Sequence, residues 1–360
     1  MMAGFLLKLF LFLPTILFSY SLVLLIISFL PFKPKQIQLK YQDKYIENIA
    51  VVPAHNEENV ILNILIDLLV VGFDKIYVLL DDCNDNTKNL ILNLGFDVNI
   101  YEDNLHSKSK MLSKYLPFIS QDNPNAFIWI FDSDNRIIQK DFLNIANQYD
   151  YDVLQLYCSN KITLNNPLSF IYSILYEYFR AINRAFTILG FGSVLGGSGM
   201  RFKASVINKY GFSVSSLTDD LEYTLKLPLK VFYLDTLQVI QEVPHNVKDM
   251  FFQLSRWIKG NIQNFFISVR KPHIFLILLG IFVNIVFLPL YLLTTFFNPV
   301  NLFINALFLI LWNIRRLENI LGVPIYLLFF IPLLLFIYFY SVITYHNKAW
   351  IKTPHLGGAV

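Results

Sequence analysis

The chain has 360 residues and a formal net charge of +3, is 55% hydrophobic and 16% aromatic, and has a mean hydropathy of +0.49. That is too apolar for a soluble domain and points to a membrane protein with a polar insert, while the small charge gives no nucleic-acid footprint. Cys83 and Cys158 both lie in the polar middle and read as reduced thiols, not as a disulfide framework.

Residues 9–30 form an apolar run long enough to cross a bilayer. Lys33, Lys35, Lys40 and Lys44 follow it, so the positive-inside rule puts the next segment in the cytoplasm, behind an uncleaved anchor. From residue 46 short apolar runs alternate with helix-like segments. Strands are expected over 47–52, 75–80, 98–101, 126–131 and 153–157, and helices over 57–71, 87–94, 109–119 and 140–148. Such alternation predicts a mostly parallel, doubly wound α/β sheet.

Residues 167–189 are rich in aromatics and carry Glu177, Arg180 and Arg184, as an amphipathic helix against the sheet or the membrane would. A glycine cluster, Gly196-Gly197-Ser198-Gly199, comes next. Thr218 then reads as a helix cap, with Asp219, Asp220 and Glu222 in the first turn. Residues 247–270 are amphipathic and basic, the pattern of an interfacial helix. Two more apolar spans lie at 274–297 and 325–345, whereas 302–312 is too short for a confident span. The organisation is therefore an N-terminal transmembrane helix (5–31), a cytosolic domain (46–245), an interface helix (246–271), a membrane region of two or three helices (272–345) and a tail (346–360).

Four stretches carry chemistry. Trp129-Ile130-Phe131-Asp132-Ser133-Asp134-Asn135 is a buried strand running into two carboxylates, at the strand end where open α/β sheets bind ligands. The pair suits Mg²⁺ or Mn²⁺ with substrate phosphates completing the shell, or is an acidic turn. Pro53-Ala54-His55-Asn56-Glu57 and Leu80-Asp81-Asp82 are further strand ends opening into polar loops, able to hold a nucleotide or to cap a helix. Lys108 and Lys110 begin a helix, where cations oppose the helix dipole and suggest an anionic ligand nearby. Gln253, Arg256 and Trp257 combine a donor, a cation and an aromatic face, for a diphosphate and a sugar or for anchoring an interfacial helix.

In this order the pieces closely resemble the membrane-bound inverting glycosyltransferases of family 2, which include cellulose, chitin and hyaluronan synthases. The resemblance covers roughly residues 46–270. It implies a glycosyltransferase A-type domain and a nucleotide-sugar donor, UDP-linked. It implies donor-binding roles for Pro53, His55, Glu57, Asp81 (against uracil), Lys108, Asp132 and Arg256, and a divalent ion on Asp134 and Asp132. Gly197, Ser198, Gln253 and Trp257 would then face the acceptor, and Asp220 of Thr218-Asp219-Asp220 would be the catalytic base. Asp219 replaces the family's usual Glu, Asp82 stands where many members have Gly or Asn, and the lysine segment lacks the usual intervening Gly. The expected product is a growing polysaccharide. A lipid acceptor, or a non-catalytic membrane partner of a synthase, are the alternatives. The expected place is the inner membrane, multi-pass, with the catalytic domain in the cytoplasm and room for partner subunits.

Overall fold

The computed structural model describes residues 22–32, 46–268, 299–346 and 354–355. The expected span at 274–297 and most of that at 9–30 lie outside them. Seven strands form one sheet in the order β3-β2-β1-β4-β6-β5-β7. They are β1 (Asn48–Ala54), β2 (Lys75–Asp81), β3 (Asn99–Asp103), β4 (Phe127–Ile130), β5 (Val153–Ser159), β6 (Met200–Lys203) and β7 (Phe232–Ile240). β6 alone runs antiparallel to its neighbours β4 and β5.

β1 shows why these runs become strands. Its residues are all buried, yet they alternate between two cores. Ala50, Val52 and Ala54 face α1 (Ile61–Val71), while Ile49 and Val51 face α3 (Lys108–Asp122). Period-two alternation with both faces apolar is what a central strand covered on both sides requires. Pro53 fits there because pairing with β4 ends at Val51, so its missing N–H falls beyond that ladder.

Several expectations need correction. The helix expected over 57–71 begins at Ile61, and the one expected over 140–148 (α4) is only Phe142–Ala146; α2 is Thr87–Leu92. β6 and β7 carry no expected counterpart. β6 is four residues long with Arg201 at its centre, fully buried and donating to the carbonyls of Ala146 and Tyr149. β7 contains Asp235, which looks exposed in sequence but accepts from Arg180 and Arg184 of α5 (Leu168–Ile188). α5 thus lies against the sheet. α6 (Ala204–Tyr210) and α7 (Asp219–Lys226) follow.

The last described elements are α8 (Val247–Ser268), α9 (Pro299–Trp312) and α10, a continuous helical run from Leu317 to Ile343 with a π turn at Tyr326–Phe330. α10 is the one described helix long and apolar enough to cross a membrane. Both its ends meet the rest of the chain: Arg316 donates to the Asn160 carbonyl, and Gln263 of α8 donates to the Tyr345 carbonyl. One face of α10 is buried through Phe330 and Ile337, while Leu321, Leu328, Phe336 and Ile343 are exposed. Residues 22–29 form a short helix whose end is held by Arg184 and Arg315 at the Ser28 carbonyl.

Candidate active site

The carboxyl edge of the sheet gathers the loops after β1, β2, β4 and β7. Because β6 runs the other way, the loop before it, Gly196–Gly199, arrives at the same edge, with Met200 paired to Ile130. α7 then places Asp219 and Asp220 beside that loop.

His55, Asn56 and Glu57 shape the first loop. His55 Nδ1 lies 2.5 Å from the Asp81 carbonyl, Asn56 adopts φ 55° and accepts from the Asn84 N–H, and the Glu57 N–H donates to Thr87. Pro53 is buried within β1. The Asp81 carboxylate accepts three backbone N–H groups, from Leu105, His106 and Ser107, at 2.8, 2.8 and 2.6 Å. It is 5% exposed and orders the loop that delivers Lys108. The carboxylate that the resemblance assigns to a base is engaged here with backbone.

Lys108 pairs with the Asp132 carboxylate and donates to the Gly197 carbonyl at 2.8 Å, tying three loops together. Burial pulls its pKa down, but the charges of Asp132 and Asp219 more than offset this and leave it raised. Asn135, which closes the 129–135 stretch and has no role assigned from sequence, is fully buried. Its amide oxygen accepts from the Asp132 N–H and the Ser198 hydroxyl, and its amide nitrogen donates to Asp134. Gln155 was missed: it accepts from the Gly196 N–H and donates to the Ser198 carbonyl, fixing the glycine loop.

Asp134 is pushed up to about 8 by burial and by the neighbouring charges of Asp132 and Glu242. Glu242, two residues beyond β7, is the second unforeseen residue, and its N–H donates to Asp134 Oδ2 at 3.2 Å. Among the described residues no three His, Cys, Asp or Glu side chains already close into a metal cage. The donor set still fits a hard divalent ion: Asp132, Asp134 and Glu242 are hard oxygen donors whose mutual repulsion a bound cation would relieve.

Asp220 is pushed up to about 7, first by burial and then by Asp219, against the pull of the Leu221 N–H, Lys108 and Arg256. Arg256 belongs to α8. Burial lowers its pKa while Asp219, Asp132 and Asp220 oppose that, and its Nε is buried without a hydrogen-bond partner. α8 is held close because Gly260 has no side chain: a Cβ there would lie 2.5 Å from the Thr218 hydroxyl oxygen. Thr218 sits at the cap position but does not cap α7 with its side chain, which accepts from Asn264 of α8 at 2.8 Å instead. That corrects the capping expectation. Tertiary contact with α8 has taken the hydroxyl, and Asp220 Oδ1 accepts the Leu221 N–H.

Beside Asp220 opens a cavity of about 260 Å³. Its walls are largely apolar and aromatic, from Tyr176, Tyr178, Phe179, Ile182 and Phe186 of α5 and Leu221 of α7, and Trp257 and Asp220 line it too. Gln253 accepts from the Tyr172 hydroxyl, and Trp257 meets the Tyr172 ring edge-on. Burial pushes the Cys158 thiol in this wall up to about 12, which disfavours the thiolate.

The family model for glycosyltransferase-like family 2 matches residues 48–260. The chain belongs to that family. It is a family 2 glycosyltransferase with a seven-stranded α/β fold of the glycosyltransferase A type. Among solved structures, this glycosyltransferase is similar to the mannosyltransferase PcManGT from Pyrobaculum calidifontis, solved with GDP-Man and Mn²⁺. That match has a TM-score of 0.62 at 14% identity over 91% of this chain and 98% of that one. It also matches S. aureus TarS 1-349 with UDP-GlcNAc (TM-score 0.39, 15% identity, 63% and 68% covered). Glucosyl-3-phosphoglycerate synthase from Mycobacterium tuberculosis, with Mn²⁺, UDP and phosphoglyceric acid, matches at TM-score 0.42 and 13% identity, with 61% and 78% covered. No curated protein matches the chain. The synthase branch named by the sequence resemblance is not singled out by these matches.

Proposed function

We propose that this glycosyltransferase moves one sugar, with inversion, from a nucleoside diphosphate donor to a hydroxyl of a lipid acceptor at a membrane surface. One observation carries this reading. Asp220 feels the charges of Lys108 and Arg256 and also lines a largely apolar, aromatic cavity. The first suits a diphosphate and the second an apolar chain better than a hydrated glycan. The exposed apolar faces of α9 and α10, with Phe303, Leu328 and Phe336, support a membrane-facing enzyme.

Asp220 takes the proton of the acceptor oxygen as that oxygen attacks the anomeric carbon. The bond to the diphosphate breaks on the opposite face, and the single displacement inverts the centre. Lys108 and Arg256 stabilise the charge that collects on the departing diphosphate. Asp134, with Asp132, would hold a divalent ion, which supplies further charge neutralisation there when bound. Trp257 orients the acceptor in the cavity. Uracil is the base we assign to the donor, following the sequence resemblance alone.

Membranes containing the protein are incubated with labelled UDP- and GDP-sugars and then extracted with organic solvent. A single labelled product in the organic phase supports the lipid acceptor. A ladder of lengthening, water-soluble products would overturn it in favour of a polysaccharide.

A further inference from the structure

The cavity beside Asp220 contains one polar group that the protein leaves unused. α8 carries Gln253, Trp257 and Asn261 at a spacing of four, which places all three on one face of the helix. The Gln253 amide oxygen is already taken by the Tyr172 hydroxyl. Trp257 and Asn261 line the cavity. Asn261 is half-buried, and among the described residues its carboxamide has no hydrogen-bond partner.

The residues around Asn261 on α8 are tied down. Gln263 accepts from the Leu217 N–H at 3.1 Å, Asn264 donates to the Thr218 hydroxyl at 2.8 Å, and Gly260 packs against Thr218. Asn261 is therefore held in a fixed place relative to the turn that delivers Asp220. The other amides of the cavity are committed through their oxygens. Gln155 accepts from the Gly196 N–H, Asn183 from the Ser193 hydroxyl and Gln241 from the Tyr176 hydroxyl.

A carboxamide in a largely apolar cavity loses water when an apolar tail enters, and only a hydrogen bond from the ligand offsets that loss. A simple fatty alcohol has a single hydroxyl, which Asp220 takes. We infer that Asn261 selects the acceptor: its carboxamide hydrogen-bonds a second polar group of the lipid alcohol, beside the hydroxyl that Asp220 deprotonates. This rests on the lipid-acceptor reading above and adds the class of lipid. The acceptor is an alcohol of the acylglycerol kind, with an ester or second hydroxyl next to the reacting one. The acceptor contact that the sequence resemblance assigns to Gln253 thereby passes along the same helix face to Asn261.

The full-length protein in detergent micelles is titrated by calorimetry with 1-monooleoylglycerol and with oleyl alcohol, which share an eighteen-carbon (~18) tail and differ in their polar part. Wild type, N261A and N261L are compared, since Asn261→Leu keeps the outline of the side chain without its polar atoms. Wild type should bind monooleoylglycerol at least about tenfold more tightly than oleyl alcohol, and both variants should bring that ratio close to unity. Oleyl alcohol binding reports whether the cavity is intact. A preference retained in both variants, or an equal loss of both lipids, overturns the role of Asn261. Equal binding of the two lipids by wild type overturns the acceptor class, and in each of these cases the lipid-acceptor reading stands. Wild-type protein that binds neither lipid would overturn that reading and this inference with it.

Discussion

Asp220 Oδ2 lies 3.4 Å from the point where a Cβ would stand on Gly197, so a side chain there would touch the carboxylate at ordinary contact distance and cover part of its opening. Gly197 also has φ +82°, a left-handed conformation that costs a side-chain-bearing residue about 1–2 kcal/mol. G197A is expected to fold with a loss of that order and to turn over at least tenfold more slowly. Denaturant unfolding and steady-state rates on one preparation check both, and a variant with unchanged kcat would show that the opening is not needed.

Gly260 does the same for helix packing. An added methyl would meet Thr218 Oγ1, Cγ2 and N at 2.5, 2.6 and 2.7 Å, and backbone cannot yield as a flexible side chain can. G260A should push α8 away and carry Arg256 and Trp257 with it. Overpacking of this kind costs about 1–3 kcal/mol, and a displacement near 1 Å at a reacting centre costs about a hundredfold in rate. Activity is therefore expected to fall much further than stability, measured as kcat/KM against the unfolding midpoint.

The pH dependence follows from Asp220. Its carboxyl is pushed up to about 7, above its unfolded value of 3.8. The base is ionised only above about pH 7, so kcat/KM should fall roughly tenfold per unit on the acid side. The stability sign is opposite. Between 3.8 and about 7 the folded state holds a proton the unfolded state has lost, so this group lowers stability as pH rises through that window. D220N removes the ionisation, and its unfolding midpoint should exceed wild type at pH 8, with the gap closing toward pH 5. An equal gap at both values would contradict the raised pKa.

Lys108 joins Asp132 to the Gly197 carbonyl. Hydrogen bonds to charged groups contribute about 1.5–3 kcal/mol each, so K108A should lower kcat/KM by at least about tenfold. Part of that loss should appear as weaker binding of the free nucleoside diphosphate, measured by calorimetry. A variant that binds the diphosphate as wild type does would place the leaving group elsewhere.

Much of the site is legible in the sequence because apolar strands stop at polar residues. β1, β2 and β4 each end within a residue or two of His55, Asp81 and Asp132, and that punctuation is local. What is not local stays hidden. Arg201 and Asp235 argue against strands until Ala146, Tyr149, Arg180 and Arg184 are brought to them by the fold. Asn135 and Gln155 are ordinary polar residues whose value lies in whom they bridge. Thr218 carries a capping signal, but the hydroxyl goes to Asn264 on a helix 46 residues away. Glu242 reaches the site only because β7 returns to the same edge as β4.

The central claim is glycosyl transfer from a nucleoside diphosphate donor with Asp220 as base. The direct test is nucleoside diphosphate release from membranes supplied with Mn²⁺ and a panel of UDP- and GDP-sugars, wild type beside D220N. Wild-type protein should release the diphosphate from one donor. D220N should bind that donor unchanged and release it about 10²–10⁴-fold more slowly, the range a general base contributes. Full turnover by a folded D220N protein would contradict the assignment.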